Sequence, residues 1–116
     1  MPKKDELSQR RYRALVAHLE DLMRAGLKPE YEGYYGTLVL TGDDRAELGE
    51  LHVVRRAARE AGERLGWEPT TKLVGDRLFV VDERDVPEEI YERASRDTAD
   101  RMGEYRQSAP RPPAEG

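Results

Sequence analysis

Cysteine is missing from this 116-residue chain. Its absence removes disulfide frameworks, zinc–thiolate sites and cysteine nucleophiles together. Lysine is scarce: of 20 basic residues only four are lysine, so arginine carries nearly all the positive charge. Histidine occurs twice, tryptophan once and phenylalanine once. No apolar run approaches the roughly 18 residues that mark a membrane span. The N-terminal Met1-Pro2-Lys3-Lys4-Asp5-Glu6 leads into no signal-type apolar stretch, so a cytoplasmic protein with no membrane partner is expected.

What is present is charge. Charged residues make up 38% and apolar ones 37%, enough for one modest core built from a few patterned segments. The net charge of −4 argues against a protein that coats polyanions, because affinity for nucleic acid is dominated by phosphate neutralisation. The arginine bias points the other way, since a guanidinium suits bidentate recognition of phosphate or carboxylate. A GC-rich coding sequence also raises arginine over lysine.

Residues 5–25 read as a helix. Tyr12, Leu15, Val16, Leu19, Leu22 and Met23 share one apolar face, and Arg10, Arg11 and Arg13 crowd the other. Gly26 falls where a left-handed C-cap is expected, and Lys28-Pro29 prevents continuation. Residues 28–36 form a connector with three tyrosines, read as a lid over a core edge or as a stacking surface for bases. Residues 37–41 form a short strand. Asp44 and Glu47 fit a capping box for a long second helix, from about Asp44 to Leu65. Leu48, Leu51, Val54, Ala58, Ala61 and Leu65 form its buried stripe, and Gly66 with Trp67 closes it.

A hairpin follows, with strands Thr70 to Val74 and Arg77 to Asp82 joined by Gly75-Asp76 in a type II′ turn. The second strand is apolar on both faces, as in a central or covered strand. Asp85 and Glu88 fit another capping box, opening a last helix from about Val86. Residues 107–116 read as a disordered tail. The expected fold is α+β: a two-layer, three-stranded sheet with a β-hairpin against helices, in the order α-β-α-β-β-α. A single domain spans 1–106, its core at 37–82. Leu38, Leu40, Leu51, Val54, Ala58, Leu65, Leu78 and Val80 are expected to share that core.

On a wheel of 3.6 residues per turn, Arg45, His52, Arg55, Arg56 and Arg59 fall within an arc of roughly 100°, away from the apolar stripe. Three arginines crowd one stretch with no acid among them, although Glu60 borders the ridge and Glu63 ends it. An ordinary solvated helix face mixes signs, because opposite charges at i, i+4 stabilise it. The arginines are either paired with some of the 24 carboxylates or directed at an anionic ligand.

The run from Val54 through Arg55, Arg56, Arg59 and Leu65-Gly66-Trp67, then a polar strand, a turn and Arg77-Leu78-Phe79-Val80-Val81, resembles a known family. It is similar, over about residues 52–82, to the single-stranded nucleic-acid-binding domains named for their Arg-x-x-x-His motif. In that register Arg55 takes the motif arginine and Arg59 replaces the motif histidine. Leu65-Gly66-Trp67 takes the place of Leu-Gly-Leu, Thr71 falls near a serine, and Arg77 takes a basic position. The resemblance implies a small α/β fold that binds single strands by backbone contacts and stacking, without catalysis.

No catalytic constellation stands out. His18 and His52 form no His-x-x-x-His pair, and neither a dinucleotide fingerprint nor a phosphate loop is present. Ser8, Ser95 and Ser108 lie in helix or tail contexts. Asp82, Glu83 and Asp85 follow a strand, where some nucleases hold metal, but a loop and a helix cap explain them. No cofactor and no metal site is expected. The expected function is a small non-catalytic nucleic-acid-binding or regulatory accessory protein. Arg45, His52, Arg55, Arg56, Arg59, Lys72 and Arg77 would contact single-stranded nucleic acid, DNA or RNA, with Trp67 or a connector tyrosine available to stack. The alternative is a protein–protein adaptor or self-associating homodimer that binds no nucleic acid.

Overall fold

Apolar periodicity and chain breakers place the elements of the computed structural model, which describes residues 2–108, with side chains from Glu6 to Gly103. The chain comprises two compact units, one ending at Asp85 and the other beginning at Val86. In the first unit, α1 runs Pro2–Ala25, a 3-10 turn covers Pro29–Tyr31, and β1 covers Thr37–Leu40. Helices α2 (Gly42–Leu48) and α3 (Leu51–Arg64) follow, then the hairpin of β2 (Pro69–Val74) and β3 (Arg77–Asp82). The second unit is α4, Glu88–Ser108, in which Tyr91 and Met102 are exposed.

The three strands form an antiparallel sheet in the order β1-β3-β2. The strand that is apolar on both faces is the central one, as its pattern implies. Gly75 has φ +62° and Asp76 is not left-handed, as a type II′ turn requires. The expected core is present. Leu40, Val54, Ala58, Leu78 and Val80 are buried in one cluster with Val16, Leu19, Met23, Ala57, Ala61 and Trp67. Leu38, Leu51 and Leu65 are partly buried against it. Helix α3 ends as its sequence suggests. Gly66 is left-handed at φ +83°, its N–H donates to the Glu63 carbonyl, and the Trp67 N–H donates to the Gly62 carbonyl at 2.9 Å.

Several local expectations are corrected. The second helix is not continuous. It breaks at Gly49, whose φ of 129° and ψ of −159° no helix accommodates. Helix α2 packs near β1 and β3 while α3 lies along α1 and β2, and the break lets the two segments take different courses. The N-cap of α2 is Thr41 rather than Asp44. Thr41 Oγ1 accepts from the Asp44 N–H at 3.1 Å, so the helix starts two residues early. Gly26 is not left-handed. Helix α1 instead closes by tightening, with Leu27 N–H donating to the Arg24 carbonyl. The last helix starts at Glu88, where the Ile90 and Tyr91 N–H groups both reach the Pro87 carbonyl. It continues through Gln107 and Ser108, which were expected in the tail, and residues 109–116 lie outside the described residues.

Candidate nucleic-acid interface

The break at Gly49 divides the expected cationic ridge. Arg45 sits on α2, half-buried, with its Nε shielded from solvent and lacking a hydrogen-bond partner. His52, Arg55, Arg56 and Arg59 remain together on α3, still within an arc of roughly 100°. The opposite side of α3 is filled by Val54, Ala57, Ala58, Ala61 and Gly62, all buried.

The four side chains differ in what holds them. Arg55 lies at the border nearest the hairpin and is half-buried. Its Nε donates to Thr71 Oγ1 at 3.0 Å and its terminal nitrogen to the Thr71 carbonyl at 3.4 Å, fastening α3 to the edge strand β2. Arg56 lies at the opposite border, its guanidinium 4.9 Å from the centre of the Tyr12 ring on α1. Between them Arg59 is exposed. His52 is also exposed, 3.5 Å from Glu50. Tyr12, Arg56, Arg59, Glu60 and Glu63 line an open groove of about 370 Å³. The Tyr12 phenol is held above its ordinary pKa, first by burial and then by the Glu60 carboxylate that hydrogen-bonds it, with Arg56 opposing.

Among the described residues, none of Arg45, Arg55, Arg56 and Arg59 forms an ion pair with a carboxylate. The partners of Arg55 and Arg56 are a hydroxyl, a carbonyl and an aromatic face, all uncharged. These contacts leave the arginines' positive charge uncompensated by direct pairing.

Lys72 and Arg77 lie elsewhere. Cross-strand partners share a face of a sheet. Lys72 pairs with Phe79 and Val74 with Arg77, whereas Leu78 and Val80 face the helices. Lys72 and Arg77 therefore point from the face of the sheet turned away from α3.

The aromatic expectations divide as well. Trp67 is a core residue, 4% exposed, and its ring so fills the space beside Gly36 that a Cβ there would lie 2.1 Å from Cζ2. It presents no surface for a base. Tyr31 is buried at 6% and meets Tyr35 edge-on at 5.6 Å, in keeping with a lid over the core edge. Tyr34 lies beneath Arg84, whose guanidinium is 4.6 Å from the ring centre.

Sequence reasoning missed a role for Asp82, the last residue of β3. Asp82, its side chain 1% exposed, accepts from the Glu68 N–H and the Arg84 N–H at 3.0 Å each and from Arg84 Nε at 2.8 Å. Arg84 in turn donates to the Gly33 carbonyl at 2.8 Å. One carboxylate thus ties the start of β2, the end of β3 and the tyrosine connector. The Asp82–Glu68 and Arg84–Gly33 bonds span 14 and 51 residues of chain, so no local pattern announces them. Among the described residues, no group of three or more metal-binding side chains comes together. No helix there is long and apolar enough to cross a membrane. Comparison with family models, with curated proteins and with solved structures finds no match to this chain.

Proposed function

We propose that this protein binds single-stranded nucleic acid without catalysis, through phosphate contacts made by Arg56 and Arg59 of α3, with His52 beside them and Arg55 bracing the helix against the hairpin. The observation that carries the reading is a set of three arginines on one helical face with, among the described residues, no carboxylate paired to any of them, in a chain whose acids outnumber its bases. Flanking contacts with Tyr12 and Thr71 hold Arg56 and Arg55 in place while leaving their charge intact. Ordering a long cationic side chain in advance lowers the entropic cost of binding. In the register of the Arg-x-x-x-His domains, the residues at the motif arginine and near the serine are Arg55 and Thr71, which are joined by a hydrogen bond. Arg59, at the motif histidine position, is exposed and retains a cation there.

The test is a titration of the protein against labelled single- and double-stranded DNA and RNA at several salt concentrations. Each phosphate neutralised on a single strand adds about 0.7 to the slope of log affinity against log salt, so three or four contacts give a slope of roughly −2 to −3. Arg56→Gln with Arg59→Gln reduces that slope by about 1.4. Arg55 is a poor choice for the same experiment, because its removal breaks the tie to β2. Changing Arg10 and Arg13 on α1 is the control and has much less effect. Absence of binding at low salt, or equal loss in the control, sinks the reading and leaves the adaptor alternative.

A further inference from the structure

We propose that the open face of the β-sheet is a second strand-binding surface, where Phe79 stacks on an unpaired base and Lys72 and Arg77 hold the adjoining phosphates. Alternation along the strands assigns eight side chains to this face: Thr37 and Val39 from β1, Arg77, Phe79 and Val81 from β3, and Thr70, Lys72 and Val74 from β2. None of the eight is buried, and Val39 and Val74 are 42% and 61% exposed. Leu40, Leu78 and Val80, on the helix side, are buried.

The chemistry of the face is selective. Phe79 is the chain's only phenylalanine, and it stands on the central strand with Val39 directly opposite on one side and Lys72 on the other. Arg77 is two residues along the same strand. The eight positions include two cations and no acid, in a chain of net charge −4. An apolar centre flanked by two cations, with no acid among the eight strand positions, complements a ligand that is aromatic in its bases and anionic in its backbone, and every base offers a π-face. A second copy meeting this face about a two-fold axis would present no acid from these eight positions to Lys72 and Arg77. The inference shares its ligand with the α3 reading but none of its residues, and α3 packs on the opposite side of the sheet. Either surface can therefore fail alone.

The experiment uses a short oligothymidylate carrying one 2-aminopurine, whose fluorescence falls when the base stacks. Binding to the otherwise unaltered protein quenches the signal. Phe79→Leu, which keeps an apolar side chain, abolishes the quench and weakens binding at least about fivefold, whereas Phe79→Tyr preserves both. Lys72→Gln with Arg77→Gln keeps the quench at saturation and reduces the salt slope by about 1.4. Arg56→Gln with Arg59→Gln leaves the quench in place. Circular dichroism checks that each variant is folded. Quenching by Phe79→Leu equal to that of the parent, an unchanged slope in the Lys72/Arg77 variant, or tighter binding of polyglutamate than of the oligonucleotide would each overturn the proposal, the last in favour of an acidic protein partner.

Discussion

Tyr12 shows how one side chain can be read only with its neighbours in place. On the sequence it is a member of the α1 apolar stripe. In the fold it is half-buried, bears Arg56 over its ring and is linked to Glu60. Burial, then the Glu60 carboxylate, hold its phenol above the ordinary value of 10.0. The linkage follows from that direction. The folded state prefers the neutral phenol, so this contribution to stability is fully present below the unfolded pKa. It is lost as pH rises from there through the higher folded value. We expect the urea midpoint to fall above about pH 10 more steeply in the parent protein than in Tyr12→Phe, the difference isolating this phenol from other alkaline titrations. Parallel curves for the two proteins would show that Tyr12 ionises as freely in the folded chain as in the unfolded one.

At the level of elements, the strands, the hairpin turn, the C-cap at Gly66 and the apolar stripe of α3 were legible because each is written in residues adjacent in sequence or repeated at a fixed period. The break between α2 and α3 was not. Leu48 and Leu51 are three apart, as in one continuous stripe, and both pack partly buried against the core. A single glycine inside such a pattern is usually tolerated at about 1 kcal/mol. What decides the matter is tertiary: α2 packs near β1 and β3, and α3 against α1 and β2. Gly49 absorbs the change in a backbone region that is essentially confined to glycine. No atom lies within 4 Å of where its Cβ would be, so a side chain meets no steric obstacle beyond the backbone itself. We therefore predict that Gly49→Ala destabilises the protein by about 1–3 kcal/mol, read as a lower urea midpoint at unchanged m-value. A stabilised variant would mean that the second helix becomes continuous. The same break explains why Arg45 was misgrouped, since a wheel drawn from Asp44 to Leu65 assumes one axis.

For the molecule as a whole, the candidate site was legible as a composition on one helix face and illegible as a surface. The clustering of His52, Arg55, Arg56 and Arg59 follows from spacing. That Arg55 turns to Thr71, Arg56 to Tyr12, and Lys72 and Arg77 to the far side of the sheet depends on which elements pack where. The opposition between local and total charge has a further consequence. A cationic face on a chain of net charge −4 attracts a polyanion only while the remaining charge is screened. At about 0.1 M salt the screening length is about 10 Å, so a strand bound as proposed would respond mainly to the arginines beneath it. At about 0.01 M it is about 30 Å, and the strand then senses the acids of the whole domain. Counterion release drives affinity up as salt falls, while the net negative charge increasingly opposes it. We expect log affinity against log salt to be linear near physiological ionic strength and to flatten toward about 0.01 M. Glu60→Gln with Glu63→Gln, which removes the two acids lining the groove with Arg56 and Arg59, raises affinity most where the parent curve flattens. Anisotropy titrations of a labelled single strand across that range provide the measurement. A line that stays straight or steepens at the lowest salt, with the glutamine variant indistinguishable from the parent, would place the bound strand away from α3.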